Sequence, residues 1–197
     1  MTAQRGNIFK YQTEDYSIIR MNPGVNFSLK KYKLVPEAIC TDCWNGYWYT
    51  YGIVNGKFCL RELYINTLGG CYPPIEGVLP DRRRWWLGHT YIEYDGYHRY
   101  SLNMEIPYTG KILVGDGLLW KYYTHGGYQR PWAWKKLTEM LFLDGKLIEV
   151  NDQSAVAAKL REMAQLDETL EEKCILLRLG CINPKSFLEG DTNVWWL

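Results

Sequence analysis

The segment between Tyr122 and Trp134 carries side chains suited to binding a small molecule. Its histidine is a residue type that serves as a proton donor or acceptor in binding sites, and the glycine pair that follows lets a ligand approach the backbone closely. Three aromatic rings predict a stacking wall, and an arginine adds a cation. This pattern favours a sugar or nucleotide site, with a solvated surface loop as the alternative. The residues predicted to bind the ligand are His125, Tyr128, Arg130, Trp132 and Trp134.

Acid–base chemistry would need His125 together with Asp116, which lies between two glycines. The pair predicts a hydrolase or transferase only if the fold brings both side chains to one concave site. A plain turn aspartate is the competing interpretation. The sequence holds no Gly-x-Ser-x-Gly, phosphate-loop or His-Glu-x-x-His motif. We therefore expect no catalytic residues and no cofactor, and favour a protein that is not an enzyme.

A basic and aromatic cluster follows Asp81. Arginine and tryptophan dominate the hot spots of protein interfaces, and the same residue types contact phosphates and stack on bases. A formal net charge of only +1 argues against a nucleic acid partner. We therefore predict a contact with a protein partner, and an exposed loop with internal ion pairs is the alternative. The residues of the cluster are Arg82, Arg83, Arg84, Trp85 and Trp86.

Six cysteines, at positions 40, 43, 59, 71, 174 and 181, raise the question of a metal site. Cys40 and Cys43 have the two-residue gap of a zinc knuckle. Cys59 and Cys71 do not form a second such pair, because Cys59 falls within a predicted strand. The three histidines, at 89, 98 and 125, show no metal-ligand spacing either. We expect free thiols and no metal.

Composition and charge define the broad class of protein. Of the 197 residues, 47% are apolar and 23% are charged, which is typical of a soluble globular chain. No apolar run approaches the roughly 18 residues of a membrane span, and residues 1–22 lack the apolar core of a secretion signal. We therefore expect a cytoplasmic protein with no membrane partner. Aromatic residues reach 15%, which favours a β-rich fold with a recognition surface, or aromatic ladders within a sheet.

Two β-hairpins are the strongest local signals in the chain. Each has two β-rich runs separated by two residues that suit a type I′ turn. The first joins Tyr47–Val54 to Lys57–Ile65 through Asn55-Gly56, and the second joins Lys136–Leu143 to Lys146–Val150 through Asp144-Gly145. Further strands are predicted at Thr90–Tyr94, Tyr97–Ile106 and Lys111–Val114.

The two ends of the chain differ from this β-rich body, which spans residues 16–150. Residues 1–12 are polar and predict a loosely attached tail. After residue 150 the pattern becomes helical: Ser154 is a candidate cap for Ala155–Leu166, and a capping box precedes Cys174–Leu179. The apolar end, residues 194–197, predicts a segment docked on the body or on a partner. We expect one domain, with residues 151–197 packed on the body.

The two hairpins resemble one another in sequence. Gly52–Leu60 aligns with Leu141–Glu149, with the Gly-Lys turn in the same place 89 positions later (145 minus 56). A chance likeness between two Gly-Lys hairpins is the alternative to an internal duplication. The predicted fold is mainly β, with two related β-rich halves forming a sandwich or open barrel and two short C-terminal helices.

Several of these stretches resemble a family of small uncharacterised bacterial proteins. The first half of the resemblance is carried by Cys43-Trp44-Asn45-Gly46-Tyr47 and Asn55-Gly56-Lys57-Phe58-Cys59-Leu60, and the second by Ile106–Gly115, Tyr123–Tyr128 and Phe142–Lys146. The resemblance spans residues 40–154. It implies a body of two β-rich halves and implies no activity.

Three classes of function are consistent with the sequence. The first is a non-catalytic protein of a bacterial cytoplasm that binds a protein partner, as an immunity or inhibitor-type protein does. The second is a small-ligand binding module that stacks a sugar or nucleotide on Trp132, Trp134 and Tyr128. The third is a hydrolase or transferase that uses His125 and Asp116. Neutral charge, the absence of catalytic motifs and the surplus of Tyr, Trp and Arg favour the first.

Overall fold

The computed structural model describes residues 2–87 and 90–163, with the backbone alone for residues 82–87, 90–95 and 163. Within these ranges nine strands form a single sheet in the order β5-β6-β4-β3-β1-β2-β7-β8-β9, which confirms the mainly β fold. The strands are β1 (Ile8–Tyr11), β2 (Glu14–Asn22), β3 (Tyr47–Val54), β4 (Lys57–Ile65), β5 (Asp81–Leu87), β6 (Thr90–Glu105), β7 (Gly110–Leu118), β8 (Trp134–Leu143) and β9 (Lys146–Asp152), and they precede helix α1 (Ser154–Met163).

Both predicted hairpins form, β3 with β4 and β8 with β9. In each turn both central residues have positive φ: 51° and 77° at Asn55 and Gly56, and 47° and 73° at Asp144 and Gly145. Asparagine, aspartate and glycine tolerate this left-handed backbone, and the tight turn fixes which residues pair across the hairpin.

The centre of the sheet is built by β1, which lies in the stretch expected to be a loose tail. That expectation is wrong for residues 8–11. Strand β1 pairs antiparallel with β2 and parallel with β3, and Phe9 is fully buried. In the hydrogen-bonded order β1 separates two blocks of four strands, which we name the β3 block (β5-β6-β4-β3) and the β2 block (β2-β7-β8-β9).

The sheet is open but strongly curled. In a flat sheet β4 and β8 would lie about 24 Å apart, because five strand intervals of about 4.8 Å separate them. Instead the rings of Phe58 and Phe142 are 5.2 Å apart, and the Phe58 backbone N donates to the Gly145 carbonyl at 2.6 Å. Of the two predicted architectures, the described residues therefore form the open barrel, which is made of one curled sheet. The concave face of this sheet holds the main apolar core.

The convex face carries two smaller clusters. Helix α1 packs Ala157, with Val156 and Leu160, against Leu113 and Leu137, as the helical periodicity predicts. The Ser154 hydroxyl does not cap the helix as predicted. It accepts from the Leu137 backbone N at 3.0 Å and so ties the start of α1 to β8. The second cluster consists of Cys43, Trp48, Tyr64 and Tyr97.

Other predictions differ from the structure or fall beyond it. The two strands expected on either side of Asp95-Gly96 form one strand, β6. Gly96 has φ 71° at an irregularity in the pairing of β6 with β5, so the strand continues through the position of the expected turn. The predicted second helix, residues 174–179, and the apolar end, residues 194–197, lie outside the described residues. Relatedness of two halves stays a prediction.

Candidate functional site

A pocket of about 360 Å³ opens where strand β1 stops. Strand β1 pairs with β3 and β2 no further toward the N terminus than Ile8, and Asn7 adds one bond by accepting from the Ile18 backbone N. The chain then turns away, and the Arg5 backbone N donates to the Asp42 carbonyl. The first residues of β3 and the last residues of β2 are thereby left without a described strand between them, and the pocket occupies that gap.

Three tyrosines of β3 form one wall of this pocket, which we name the tyrosine pocket. Because side chains alternate along a strand, Tyr47, Tyr49 and Tyr51 lie on the concave face of the sheet. Neighbouring ring centroids are 5.2 Å and 5.6 Å apart. The opposite wall comes from β2 and the loop after it, and the residues of that wall are Ile18, Ile19, Arg20, Met21, Gly24 and Val25.

The phenols of Tyr49 and Tyr51 are deeply buried, with only 7% and 2% of each residue exposed. Neither hydroxyl has a hydrogen-bond partner among the described residues. Neither hydroxyl oxygen is among the fully buried side-chain atoms that lack a partner in the described residues, so both oxygens reach solvent. Burial, reinforced by the neighbouring phenols, raises the pKa of both tyrosines far above their usual value of 10.0. Both hydroxyls therefore stay protonated and available as donors.

The charged residues around the tyrosine pocket are basic. Arg5 and Arg20 line it, and no acidic residue does so within the described chain. Arg5 is already paired, because its guanidinium lies 2.6 Å from the Asp42 carboxylate. Burial alone would raise the pKa of Asp42, but hydrogen bonds from the Cys40 thiol and from Arg5 outweigh it and hold the pKa below the usual 3.8.

The segment that carries Asp42 also holds two thiols. Cys40 Sγ lies 3.2 Å from the Tyr97 hydroxyl, and Cys43 Sγ donates to the Tyr47 carbonyl at 3.6 Å. Burial raises the pKa of the Cys40 thiol, which disfavours the reactive thiolate. Cys59 and Cys71 do not join them: in the described part of the chain, no three His, Cys, Asp or Glu side chains are grouped to hold a metal ion.

Only one of the five predicted ligand-binding residues lies in the tyrosine pocket. Tyr128 lines it, and the Tyr128 hydroxyl accepts from Asn45 Nδ2 at 3.1 Å. Trp134 is buried on the convex face, where a Cβ added to Gly115 would meet its ring at 2.6 Å. Its ring is therefore not open to stack a ligand, so Trp134 cannot contribute to the predicted stacking wall.

The other predicted ligand residues lie around the short 3₁₀ turn Pro131–Ala133. Arg130 precedes the turn and is half-buried. Trp132 is also half-buried, and its carbonyl accepts from Arg161 of α1 at 3.0 Å. His125 is exposed and touches the edge of Tyr123, with 4.8 Å between the ring centroids.

The predicted acid–base pair shows no contact in the described chain. Asp116 is exposed in β7, and its carboxylate accepts from the Gly117 backbone N at 2.7 Å. Its neighbour across the sheet is Lys136, not His125. Neither Asp116 nor His125 lines the tyrosine pocket, so the hydrolase or transferase alternative has no shared cavity here and stays a prediction.

The predicted partner-binding cluster, Arg82, Arg83, Arg84, Trp85 and Trp86, lies in strand β5 and not in a loop. Strand β5 is at one edge of the sheet and pairs only with β6 among the described strands. The side chains of the cluster lie outside the described part of the structure. The protein-contact role of these five residues stays a prediction.

Apart from Tyr128, the residues that build the tyrosine pocket were not predicted from the sequence. The alternation Tyr47, Tyr49, Tyr51 was available as a signal, because it places three phenols on one face of a predicted strand. The missing information was the end of β1 at residue 8. Asn7 lies in the presumed tail, yet its side-chain oxygen accepts from the Tyr49 backbone N at 2.9 Å.

Comparisons with known proteins return no relatives. No family model, curated protein or solved structure matches this chain. The resemblance to a bacterial family therefore stays a prediction. Among the described residues, no helix has the length and apolar character needed to span a membrane.

Proposed function

We propose that this protein binds a small organic ligand in the tyrosine pocket. The observation that carries the proposal is the cavity, which is lined by the mostly buried residues Tyr49 and Tyr51, whose hydroxyls bond to no described residue. Because both hydroxyl oxygens reach solvent, a ligand in the cavity would replace water as their hydrogen-bond partner. The small-ligand alternative from the sequence is thus retained, with its site moved from the 122–134 segment to the gap beside β1.

The volume and lining support this assignment. At about 360 Å³ the cavity is near the small end of the range typical of ligand sites. Its walls combine aromatic and aliphatic side chains with a few polar groups, among them Asn7 and Asn45. This mixture is common in sites that hold small molecules, because the apolar walls supply affinity and the polar groups fix orientation.

A fragment screen read out by thermal shift and by ligand-observed NMR tests the proposal. A fragment present at one hundred times its dissociation constant stabilises the folded protein by about 2.7 kcal/mol. We expect hits for the wild type that are lost in the double variant Y49F/Y51F. The matched control is Y100F, because Tyr100 is fully buried but its hydroxyl bonds to the Pro73 carbonyl at 2.8 Å, away from the pocket.

Two outcomes would contradict this proposal. One is a screen in which no fragment binds the wild type. The other is a set of hits whose affinities are the same in the wild type and in Y49F/Y51F, because such fragments bind elsewhere.

Binding of a protein partner is a second candidate function, and two exposed tryptophans favour it. Trp44 and Trp120 are 54% and 76% exposed, and tryptophan is enriched at interface hot spots. An immunity or inhibitor-type role in a bacterial cytoplasm is the form predicted from the sequence. Co-purification of a defined partner with the wild type, and its loss from W44A/W120A, would support it. A partner retained equally by the wild type and by W44A/W120A would contradict a binding role for these two tryptophans.

A further inference from the structure

Two of the described cysteines lie in one tight turn. The Cys43 backbone N donates to the Cys40 carbonyl at 3.5 Å, which closes a turn over residues 40–43. In such a turn the first and fourth Cα atoms lie less than about 7 Å apart. A disulfide usually joins Cα atoms that are about 4.4–6.8 Å apart. The backbone therefore holds Cys40 and Cys43 at a separation that a disulfide can span.

The two thiols contact the same phenol. Cys43 belongs to the convex cluster that also contains Tyr97, and Cys40 packs against this cluster. The Cys40 sulfur lies 3.2 Å from the Tyr97 hydroxyl. Burial, together with hydrogen bonds to both thiols, raises the pKa of Tyr97. Neither Cys59 nor Cys71 belongs to this cluster, so Cys40 and Cys43 form a pair of their own among the described cysteines.

The two thiols differ in exposure, and the difference sets the order in which they react. Cys40 is half-buried, whereas only 2% of Cys43 is exposed. A small disulfide in solution therefore reaches the Cys40 sulfur first. The turn belongs to no strand or helix, so it can adjust to the geometry of a disulfide without breaking the pairing of the sheet.

We propose that Cys40 and Cys43 form a reversible disulfide by exchange with a small-molecule disulfide such as oxidised glutathione. The Cys40 thiolate attacks one sulfur of the oxidant, the S–S bond of the oxidant breaks, and one glutathione thiolate leaves. The Cys43 thiolate then attacks the Cys40 sulfur of the mixed disulfide and releases the second glutathione. The protein loses two protons and two electrons, and the oxidant is reduced to two thiols.

Oxidation of the pair acts on the end of strand β3 that adjoins the tyrosine pocket. In the dithiol form the Cys43 thiol donates at 3.6 Å to the carbonyl of Tyr47, the first residue of β3. The same turn accepts the Arg5 backbone N at the Asp42 carbonyl. A disulfide has no S–H donor, so the Tyr47 carbonyl loses this hydrogen bond when the pair is oxidised. The amide signals of Arg5 and Tyr47 should therefore report the redox state.

Digestion with trypsin gives a direct test, because no lysine or arginine lies between Lys33 and Lys57. The peptide of residues 34–57 therefore contains Cys40 and Cys43 and no other cysteine. The folded wild type is equilibrated with a series of ratios of reduced to oxidised glutathione, quenched with acid, alkylated and mapped by mass spectrometry. The exchange is run at about pH 9, because burial raises the pKa of the Cys40 thiol and the thiolate is the attacking form.

The matched variants are C43S and C59S. Cys59 is also buried, but its thiol donates to the Lys57 carbonyl at 3.5 Å, away from the turn. C43S should stop with one glutathione on Cys40, and C59S should behave as the wild type does. The wild-type map decides the pairing even if C43S fails to fold.

We expect the oxidising buffers to convert the 34–57 peptide to a form that is lighter by two hydrogen atoms and takes up no alkylating agent. Reducing buffers should reverse the change, and the amide NMR signals of Arg5 and Tyr47 should shift on oxidation. Two alkylated thiols at every glutathione ratio would overturn the disulfide. So would glutathione on both cysteines, or a bond to a cysteine of another peptide. Unchanged signals of Arg5 and Tyr47 would overturn the effect on β3.

Discussion

The two faces of strand β3 show what aromatic residues do in this protein. On the convex face Trp48 stacks on Tyr64 at 4.8 Å and meets the edge of Tyr97 at 4.8 Å. The polar ends of this cluster have partners: the Tyr64 hydroxyl donates to Glu62, and the Tyr97 hydroxyl lies 3.2 Å from Cys40 Sγ. On the concave face Tyr49 and Tyr51 are as deeply buried, yet their hydroxyls bond to no described residue.

This difference separates packing from binding. A buried aromatic cluster whose hydroxyls are paired within the protein has no hydroxyl left to offer a ligand. A cluster whose hydroxyls bond to no described residue and whose residues line a cavity leaves those hydroxyls open to water or to a ligand. The high aromatic content of the sequence therefore has two origins, and they lie one residue apart on the same strand.

The largest contrast between the faces should come from removing Trp48. Replacing a buried aromatic side chain by alanine typically costs 3–5 kcal/mol, and we expect W48A to lose about that much free energy of unfolding. Urea denaturation measures it. W120A is the control, because Trp120 is mostly exposed and its loss should change stability by less than about 0.5 kcal/mol. A small loss in W48A would show that the convex cluster contributes little to stability.

The next largest effect should be the loss of stability that Tyr49 and Tyr51 cause at alkaline pH. In the unfolded chain a tyrosine ionises near pH 10, whereas burial keeps Tyr49 and Tyr51 protonated in the folded protein. Their contribution is fully present below pH 10 and falls as the pH rises further, by about 1.4 kcal/mol per pH unit for each phenol. Stability measured by urea denaturation between pH 9 and pH 11 should therefore decline less steeply in Y49F/Y51F. Equal slopes would contradict the burial of these phenols.

Single hydroxyl deletions sharpen the comparison at neutral pH. Y100F removes a hydroxyl that donates to a carbonyl, so we expect a loss of about 1–2 kcal/mol. Y51F removes a hydroxyl that has no described partner, so its stability should equal or exceed that of the wild type. Chemical denaturation of both variants provides the measurement. A loss in Y51F as large as that in Y100F would mean that the Tyr51 hydroxyl is already satisfied.

A loss smaller than that of Y100F is expected at the Arg5–Asp42 pair, which connects the two faces. The pair is partly exposed, so D42N should cost less than about 1 kcal/mol at pH 7. Because the pKa of Asp42 is lowered by folding, its contribution is present above pH 3.8 and is lost as the pH falls further. Urea midpoints of wild type and D42N should therefore converge on acidification. A difference that persists at pH 2 would contradict this account.

The local parts of the fold could be predicted from the sequence. Asn55-Gly56 and Asp144-Gly145 determine their own turns, and the bounds predicted for the first hairpin, Tyr47–Val54 and Lys57–Ile65, agree with the structure. The helix predicted after Ser154 likewise forms, and its residues Val156 and Leu160 pack against Leu113 and Leu137. In each case the signal and its consequence lie within a few residues of one another.

The candidate site depends on contacts between distant parts of the chain. Strand β1 has four residues and polar neighbours, and its partner residues on β3 are about forty positions away. No local pattern reveals that pairing or where it ends. The 122–134 segment gathers several site-like residues in one stretch, yet only its Tyr128 lines the pocket that the ends of β1, β2 and β3 create.

The short central strand has a consequence for how the molecule can be divided. Apart from the bond between Phe58 and Gly145, backbone hydrogen bonds between the described strands join the β2 block to the β3 block only through β1. A chain that starts after residue 13 would therefore lack the central strand of the sheet. A synthetic peptide of residues 2–13 could restore that strand by binding to the shortened chain. The cavity begins where strand β1 ends. Binding of the peptide to the shortened chain should therefore depend on what occupies the cavity, as a two-piece biosensor requires.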